Sequence, residues 1–200
     1  MSLMEITAST LEGQRIRLEP LAVAHLESLA AAAGSAEVWT YLDEATPDVN
    51  AVASLIAEAL EEQDQGVRVP YAIVERQTGA VIGSISFIDI QRRHRGVEIG
   101  WAWVTPSKWR TGAAREASYL LMRYAFDVAG AIRVAFKTDS RNERSQRAIE
   151  ALGATREGMF RNHRILRDGY VRDSIYYSVI AEEWPQVRRT LEVQRSDAEV

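Results

Sequence analysis

The sequence predicts a mixed α+β chain built around one sheet of mixed strand direction. Three observations carry this. Runs of alternating or β-branched apolar residues recur along the chain, segments with helical apolar spacing lie between them, and glycines and prolines fall at the junctions. Two hundred residues, 46% hydrophobic and 26% charged, suffice for one domain with its own core. We read residues 1–200 as that single domain, with a core over about 11–191 and tails at 1–10 and 192–200.

Taken in order, Arg15–Leu18 alternates as a half-buried strand and Pro20 ends it. Ala22–Ala33 and Val49–Gln63 carry helical spacing and are rich in Ala, Leu and Glu, with Asp48 as N-cap of the second. Pro70–Glu75 and Val81–Asp89 read as strands around a Thr78-Gly79 turn. Val97–Thr105 is a strand stopped by Pro106, and after a short loop Gly112–Ala129 is a helix closed by Gly130. Ile132–Asp139 is a strand, and Asn142–Leu152 a helix ended by Gly153. Ala154 to Ala181 reads as a hairpin whose Asp168-Gly169 pair suits a tight type I′ turn. A last helix starts near Glu182, with a loose polar tail after Leu191.

The chain has no cysteine, which excludes a disulfide framework, a thiolate zinc site and a cysteine nucleophile. The start lacks the pattern of a signal peptide, and no apolar run nears the ~20 residues of a membrane helix. The expectation is therefore a cytoplasmic protein acting without membrane or nucleic acid, since no overall basic excess or reading motif is present. The net charge of −4 conceals a split. Residues 1–70 hold 3 basic and 12 acidic groups, whereas residues 71–200 hold 21 basic and 16 acidic. Either the second part favours an anionic ligand, or the acidic groups are the solvent faces of amphipathic helices.

The stretch Glu98–Glu116 runs from strand through a loop into a helix start. The first turn of a helix has free N–H groups and partial positive charge. Small residues at Gly112, Ala113 and Ala114 let an anion come close, with Arg110 and Arg115 adding charge. The pattern is neither a Walker loop nor a dinucleotide fingerprint. Alone it also fits a plain connection.

A second segment adds weight. Trp109-Arg-Thr-Gly112-Ala-Ala114 matches the last two fixed positions of Gln/Arg-x-x-Gly-x-Gly/Ala. Asn142, Ser145 and Gly153 match a later Asn-x-x-Ala/Ser…Gly motif. With Glu98-Ile-Gly-Trp, Arg156–Arg161, Asp168-Gly169, Arg172-Asp173, Tyr177-Ser178 and Glu183-Trp184, the chain resembles the GNAT acetyltransferase superfamily, and within it the RimJ/RimL type, over roughly Leu11 to Leu191. Two positions depart from it. Trp109 stands where Gln or Arg is usual, and Ile149 where many members have a tyrosine acid.

The resemblance implies a mostly antiparallel central sheet flanked by helices and splayed at the cofactor strand. It implies acetyl-CoA as donor and a primary amine as acceptor, either a peptide N-terminus or a small molecule. The pantetheine arm would pair with Trp103, Val104 and Thr105. Trp109, Arg110, Thr111, Gly112, Ala113 and Ala114 would form the pyrophosphate loop, and Asn142 and Ser145 would contact the cofactor. Relatives are often dimers, so a homodimer is compatible.

Direct attack of a neutral amine needs a base. Glu98 is the first candidate, against an ion pair with Arg92, Arg93 or Arg95. His163 on the hairpin is the second. Ser145 would donate to the leaving thiolate, against a bond to its own helix turn. Asn142 can be a cap as well as a cofactor contact. Trp101 and Trp103 either line a pocket or pack as core, Trp184, Tyr176 and Tyr177 read as structural, and His25 and His94 as exposed. No metal site is expected. A CoA-binding regulatory module without turnover is the alternative function.

Overall fold

The alternating runs assemble into one eight-stranded sheet in the computed structural model, which describes residues 3–42 and 44–196. The strands are β1 (Leu11–Glu12), β2 (Ile16–Pro20), β3 (Arg68–Glu75), β4 (Val81–Gln91), β5 (Gly96–Val104), β6 (Arg133–Asp139), β7 (Thr155–Ile165) and β8 (Val171–Ile180). Their order across the sheet is β1-β2-β3-β4-β5-β6-β8-β7. Only β5 and β6 run parallel, and every other neighbouring pair is antiparallel.

The helices are α1 (Leu26–Ala33), α2 (Ala36–Trp39), α3 (Val49–Asp64), α4 (Ala113–Arg123), α5 (Glu143–Glu150) and α6 (Trp184–Ser196). They divide between the two faces. Val97, Ile99, Val134 and Phe136 share a core with Ala117 and Leu120 of α4, Ile149 of α5 and Leu191 of α6. A second core, with Leu29 of α1, Trp39 of α2 and Val52 and Ile56 of α3, packs on Ala72 and Val74 of β3. The strand period of two sets this division, since alternate side chains point to opposite faces. The second core reaches Trp103 of β5 but includes no residue of β6, β7 or β8, so beyond β5 the α1–α3 side of the sheet is bare of this apolar cover.

Several elements differ from the sequence expectation. Pro20 ends β2 as expected, but β3 begins at Arg68 and so takes Pro70 into its interior. Pro70 has no N–H to give, but its carbonyl accepts from Leu21 N–H at 3.0 Å. The first expected helix begins with a 3₁₀ turn at Val23–His25. The helix after Gly112 becomes a single π turn over Tyr124–Val128. The hairpin loop is not type I′. Asp168 is not left-handed and only Gly169 has positive φ, with Gly169 N–H closing on Leu166 O. The stretch after Leu191 continues α6 to Ser196 rather than forming a tail, and residues 197–200 lie outside the described residues. No helix among the described residues is long and apolar enough to cross a membrane.

Candidate active site

The parallel pair is where the sheet opens. Pairing of β5 with β6 runs from Gly96↔Arg133 to Ile99↔Phe136 and goes no further. Beyond it, β5 is drawn toward β4. Ser84 pairs with Trp103 and Ser86 with Gly100, so β5 carries one extra residue there, and Trp101 takes φ 50°. Such a bulge bends its strand. Gly83 makes the approach possible, because a Cβ on it would lie 2.0 Å from the Trp103 carbonyl oxygen. β5 and β6 are each followed by a helix, so the N-termini of α4 and α5 both belong to the open end. Crevices of this kind, beyond the carboxyl ends of parallel strands, are where ligands bind in α/β sheets.

The loop into α4 uses two left-handed residues, Arg110 (φ 63°) and Gly112 (φ 88°). A Cβ at Gly112 would meet nothing within 4 Å, so conformation rather than space asks for glycine there. Thr111 Oγ1 donates to Lys108 O at 2.8 Å, fixing the loop. Arg110, Thr111, Gly112 and Arg115 line a cavity of about 460 Å³. Arg115 also donates to Gln194 Oε1 at 3.1 Å on α6.

Trp109, the departure from the motif, has two contacts. Its Nε1–H donates to Val104 O at 3.0 Å, and the Arg144 guanidinium lies over its ring at 3.6 Å. The indole thus links the loop after β5 to the first turn of α5. Arg144 was missed by sequence reasoning; only the pairing of a loop aromatic with a helix arginine could have signalled it. Among the backbone groups expected to face pantetheine, Val104 O already accepts from Trp109 and Thr105 N–H donates to Ile82 O at 2.8 Å.

Asn142 caps α5, its Oδ1 accepting from Ser145 N–H at 3.0 Å. The Ser145 hydroxyl makes no hydrogen bond among the described residues, to its own turn or elsewhere. Its lone pairs and proton are available to a ligand.

Glu98 lies between the core residues Val97 and Ile99 and therefore faces the bare side of the sheet, where it is 6% exposed. Its partner is not one of the neighbouring arginines. Lys137 Nζ of β6 lies 3.1 Å from Oε1 and 3.2 Å from Oε2. Lys137 also sits 5.7 Å from the Tyr176 ring centre. Glu98, Lys137 and Tyr176 thus line one trough on this side of the sheet, so Tyr176 is not only structural, whereas Tyr177 and Trp184 are core. Burial, then the charge of Glu98, raises the Tyr176 phenol above its ordinary range. Glu98 shares no hydrogen bond with Ser145 among the described residues: it is bonded to Lys137, and the Ser145 N–H to Asn142.

His163 reaches the same trough through a distortion. Between the pairs Phe160↔Ser174 and Arg164↔Arg172, β7 carries two extra residues, with Asn162 at φ 50° and its N–H on Asp173 Oδ1 at 2.7 Å. This turns the His163 ring inward. Nδ1 lies 3.0 Å from Ser174 Oγ and Nε2 3.4 Å from the Tyr176 hydroxyl, with Phe160 edge-on. The residue is half-buried although it lies on the hairpin. Burial, then the charges of Lys137, Arg164 and Arg172, lower its pKa from the ordinary value, so the ring is neutral at pH 7.

Next to the trough, Trp39, Trp101 and Trp103 line a narrow apolar pocket with Leu55 and Ile56. Trp39 and Trp103 are 5.5 Å apart, and the Arg68 guanidinium lies 5.1 Å from the Trp101 ring. Trp101 and Trp103 are therefore both packing and lining. His94 is exposed, but His25 is mostly buried and bonded to Glu19 at 3.1 Å. No cluster of His, Asp or Glu able to hold a metal occurs among the described residues.

The family profile described as an acetyltransferase (GNAT) domain matches residues 15–155. YoaA of Bacillus subtilis (strain 168), an uncharacterised N-acetyltransferase, is 29% identical over 173 residues, covering 85% of this chain and 96% of its own. A T. thermophilus structure provisionally assigned as an acetyltransferase is 42% identical, with TM-score 0.86 over 96% of this chain and 99% of that one. Mycobacterium smegmatis RimJ in complex with CoA-disulfide shares the fold at 19% identity, TM-score 0.82, over 94% and 95% of the two chains. A profile spanning most of the chain, and relatives matched along nearly their whole length, agree with the opened sheet and paired helix starts: the chain is an acetyltransferase of the GNAT family.

Proposed function

We propose that the protein moves an acetyl group from acetyl-CoA to a primary amine, a peptide N-terminus or a small molecule, by direct transfer. The observation that carries this reading is the divergence of β5 and β6 after Ile99 and Phe136, with the starts of α4 and α5 beyond it and Glu98 beside it. The residues fit the donor. The left-handed cradle at Arg110–Gly112, the first-turn N–H groups of Ala113 and Ala114, and Arg144 held on Trp109 suit a pyrophosphate. The open Ser145 hydroxyl and the Asn142 amide suit the pantetheine arm.

When bound, acetyl-CoA supplies an activated acyl carbon on a thiol leaving group. The chain supplies the rest. The amine approaches along the bare face, and Glu98 accepts its proton, directly or through water. Neutral His163 is the second candidate base, favoured by its lowered pKa. The new N–C bond forms as the C–S bond breaks, and Ser145 donates a hydrogen bond to the departing sulfur. No covalent enzyme intermediate is needed, in keeping with a chain free of cysteine.

The test is release of free thiol from acetyl-CoA across a panel of N-terminal peptides and small amines, with the acetylated product identified by mass. Thiol release that depends on one class of amine is expected. Tight CoA binding with no release for any amine would favour a binding module without turnover.

A further inference from the structure

The charges of the trough do not cancel. Glu98 is taken by Lys137 at both oxygens. Asp139, whose side chain is fully buried, is taken by Arg141, with Nε at 3.1 Å from Oδ1 and Nη2 at 2.9 Å from Oδ2. Arg141 is itself clamped on the Tyr170 ring at 3.3 Å. Arg68 is taken by Glu62 at 3.0 Å and Ser86 at 3.0 Å. Glu98, Asp139 and Arg68 thus each have a counter-charge of their own.

Arg172 stands on β8 in register with Ser174 and Tyr176, whose hydroxyls both reach His163, so it faces the same side. It is only partly exposed, its Nε is buried without a partner, and its guanidinium has no hydrogen bond or ion pair among the described residues. Burying an unpaired donor of this kind is costly, and a guanidinium presents a planar fork that matches a carboxylate.

We propose that Arg172 binds a carboxylate of the acceptor, so that the amine acetylated belongs to a small amino-carboxylate, of which a free amino acid is the simplest, rather than to a peptide N-terminus. This rests on the reading of the trough as the acceptor side. Glu98 and Asp139 are bonded to Lys137 and Arg141, and neither forms a hydrogen bond or ion pair with Arg172 among the described residues. A carboxylate entering with the acceptor completes the pairing and holds the amine end toward the opening between β5 and β6. The local field agrees: burial, with Arg164, depresses the Arg172 pKa and Asp139 and Glu98 only partly offset it, and burial, then the cations Lys137, Arg164 and Arg172, depress His163.

The experiment uses matched pairs of amines, each a free amino acid and its primary amide, with acetyl-CoA and the full chain. The free acids should show kcat/KM about 10- to 100-fold above the amides, the range of a hydrogen bond to a charged group. Arg172→Gln should remove that preference, and Arg172→Lys should keep part of it. CoA affinity should stay at the wild-type value, and the melting temperature of Arg172→Gln should not fall, since the unpaired buried donor is removed. Acids and amides used equally well by the wild type would overturn the carboxylate site while leaving acetyl transfer intact. If no amine of either series releases thiol, the acetyl-transfer reading fails instead. The carboxylate site is then decided by calorimetric titration with the N-acetylated acids and amides. Tighter binding of the acids that Arg172→Gln abolishes supports it; equal binding, or none, overturns it.

Discussion

Glu98 shows how one side chain can carry two duties that a substitution must separate. It is a buried carboxylate facing the trough, and it is half of an ion pair with Lys137. Breaking a buried pair by removing one partner costs on the order of 3–5 kcal/mol, because the other charge is left uncompensated. Glu98→Gln keeps the shape and one acceptor oxygen but cannot take a proton from an amine. We expect turnover to fall at least about 10²-fold, with CoA affinity unchanged, when rates are measured below the melting transition of the variant. An unchanged rate would leave Glu98 only its ion-pair role and pass the base to His163. The motif made Glu98, Asn142 and Ser145 visible in the sequence. Lys137 was not, since it meets Glu98 across a parallel pair from 39 positions further along the chain. His163 was visible only as a histidine; its orientation comes from a bulge that no local residue pattern announces.

At the level of elements, the opening depends on a glycine that is neither in a turn nor left-handed. Gly83 lets the Trp103 carbonyl pass where any side chain would stand. Gly83→Ala should push β5 off β4, undo the bulge at Trp101 and close part of the gap beside β6. The expected result is a lower melting temperature together with weaker CoA binding, followed by thermal unfolding and by titration. A loss of stability with full CoA affinity would show that the gap does not depend on the bulge. Long elements with strong periodicity, such as α3 behind its Asp48 cap and β4, were legible from sequence. β1 and α2 were not, being two and four residues long. The Asp168-Gly169 pair misled for a definite reason: the strands end at Ile165 and Val171, so the loop is longer than the two residues a type I′ turn requires.

Across the whole molecule, carboxylates and cations knit distant segments together. Bonds from Arg133, against the opposing effect of burial, lower the pKa of Glu157, and Ser178 adds to this. Burial alone would raise Asp139, but its bonds from Arg141 prevail and lower it. A carboxylate whose folded pKa lies below its unfolded value stabilises the fold above the unfolded value, and that contribution is lost as pH falls through the folded one. The melting temperature should therefore decline on acidification below about pH 4, the ordinary carboxylate range. Asp139→Asn should melt lower at neutral pH and lose less on acidification, which thermal scans from neutral to acidic pH would check. An equal acid loss in variant and wild type would remove Asp139 from the account. The bulge in β7 has a further consequence at this scale. β7 is the outer strand at one side of the sheet, and a long outer strand with Met159, Phe160 and Ile165 exposed is an invitation to aggregate. Two breaks in register and the left-handed Asn162 spoil its hydrogen-bonding ladder, so the distortion that turns His163 inward also keeps a stray strand from continuing the sheet.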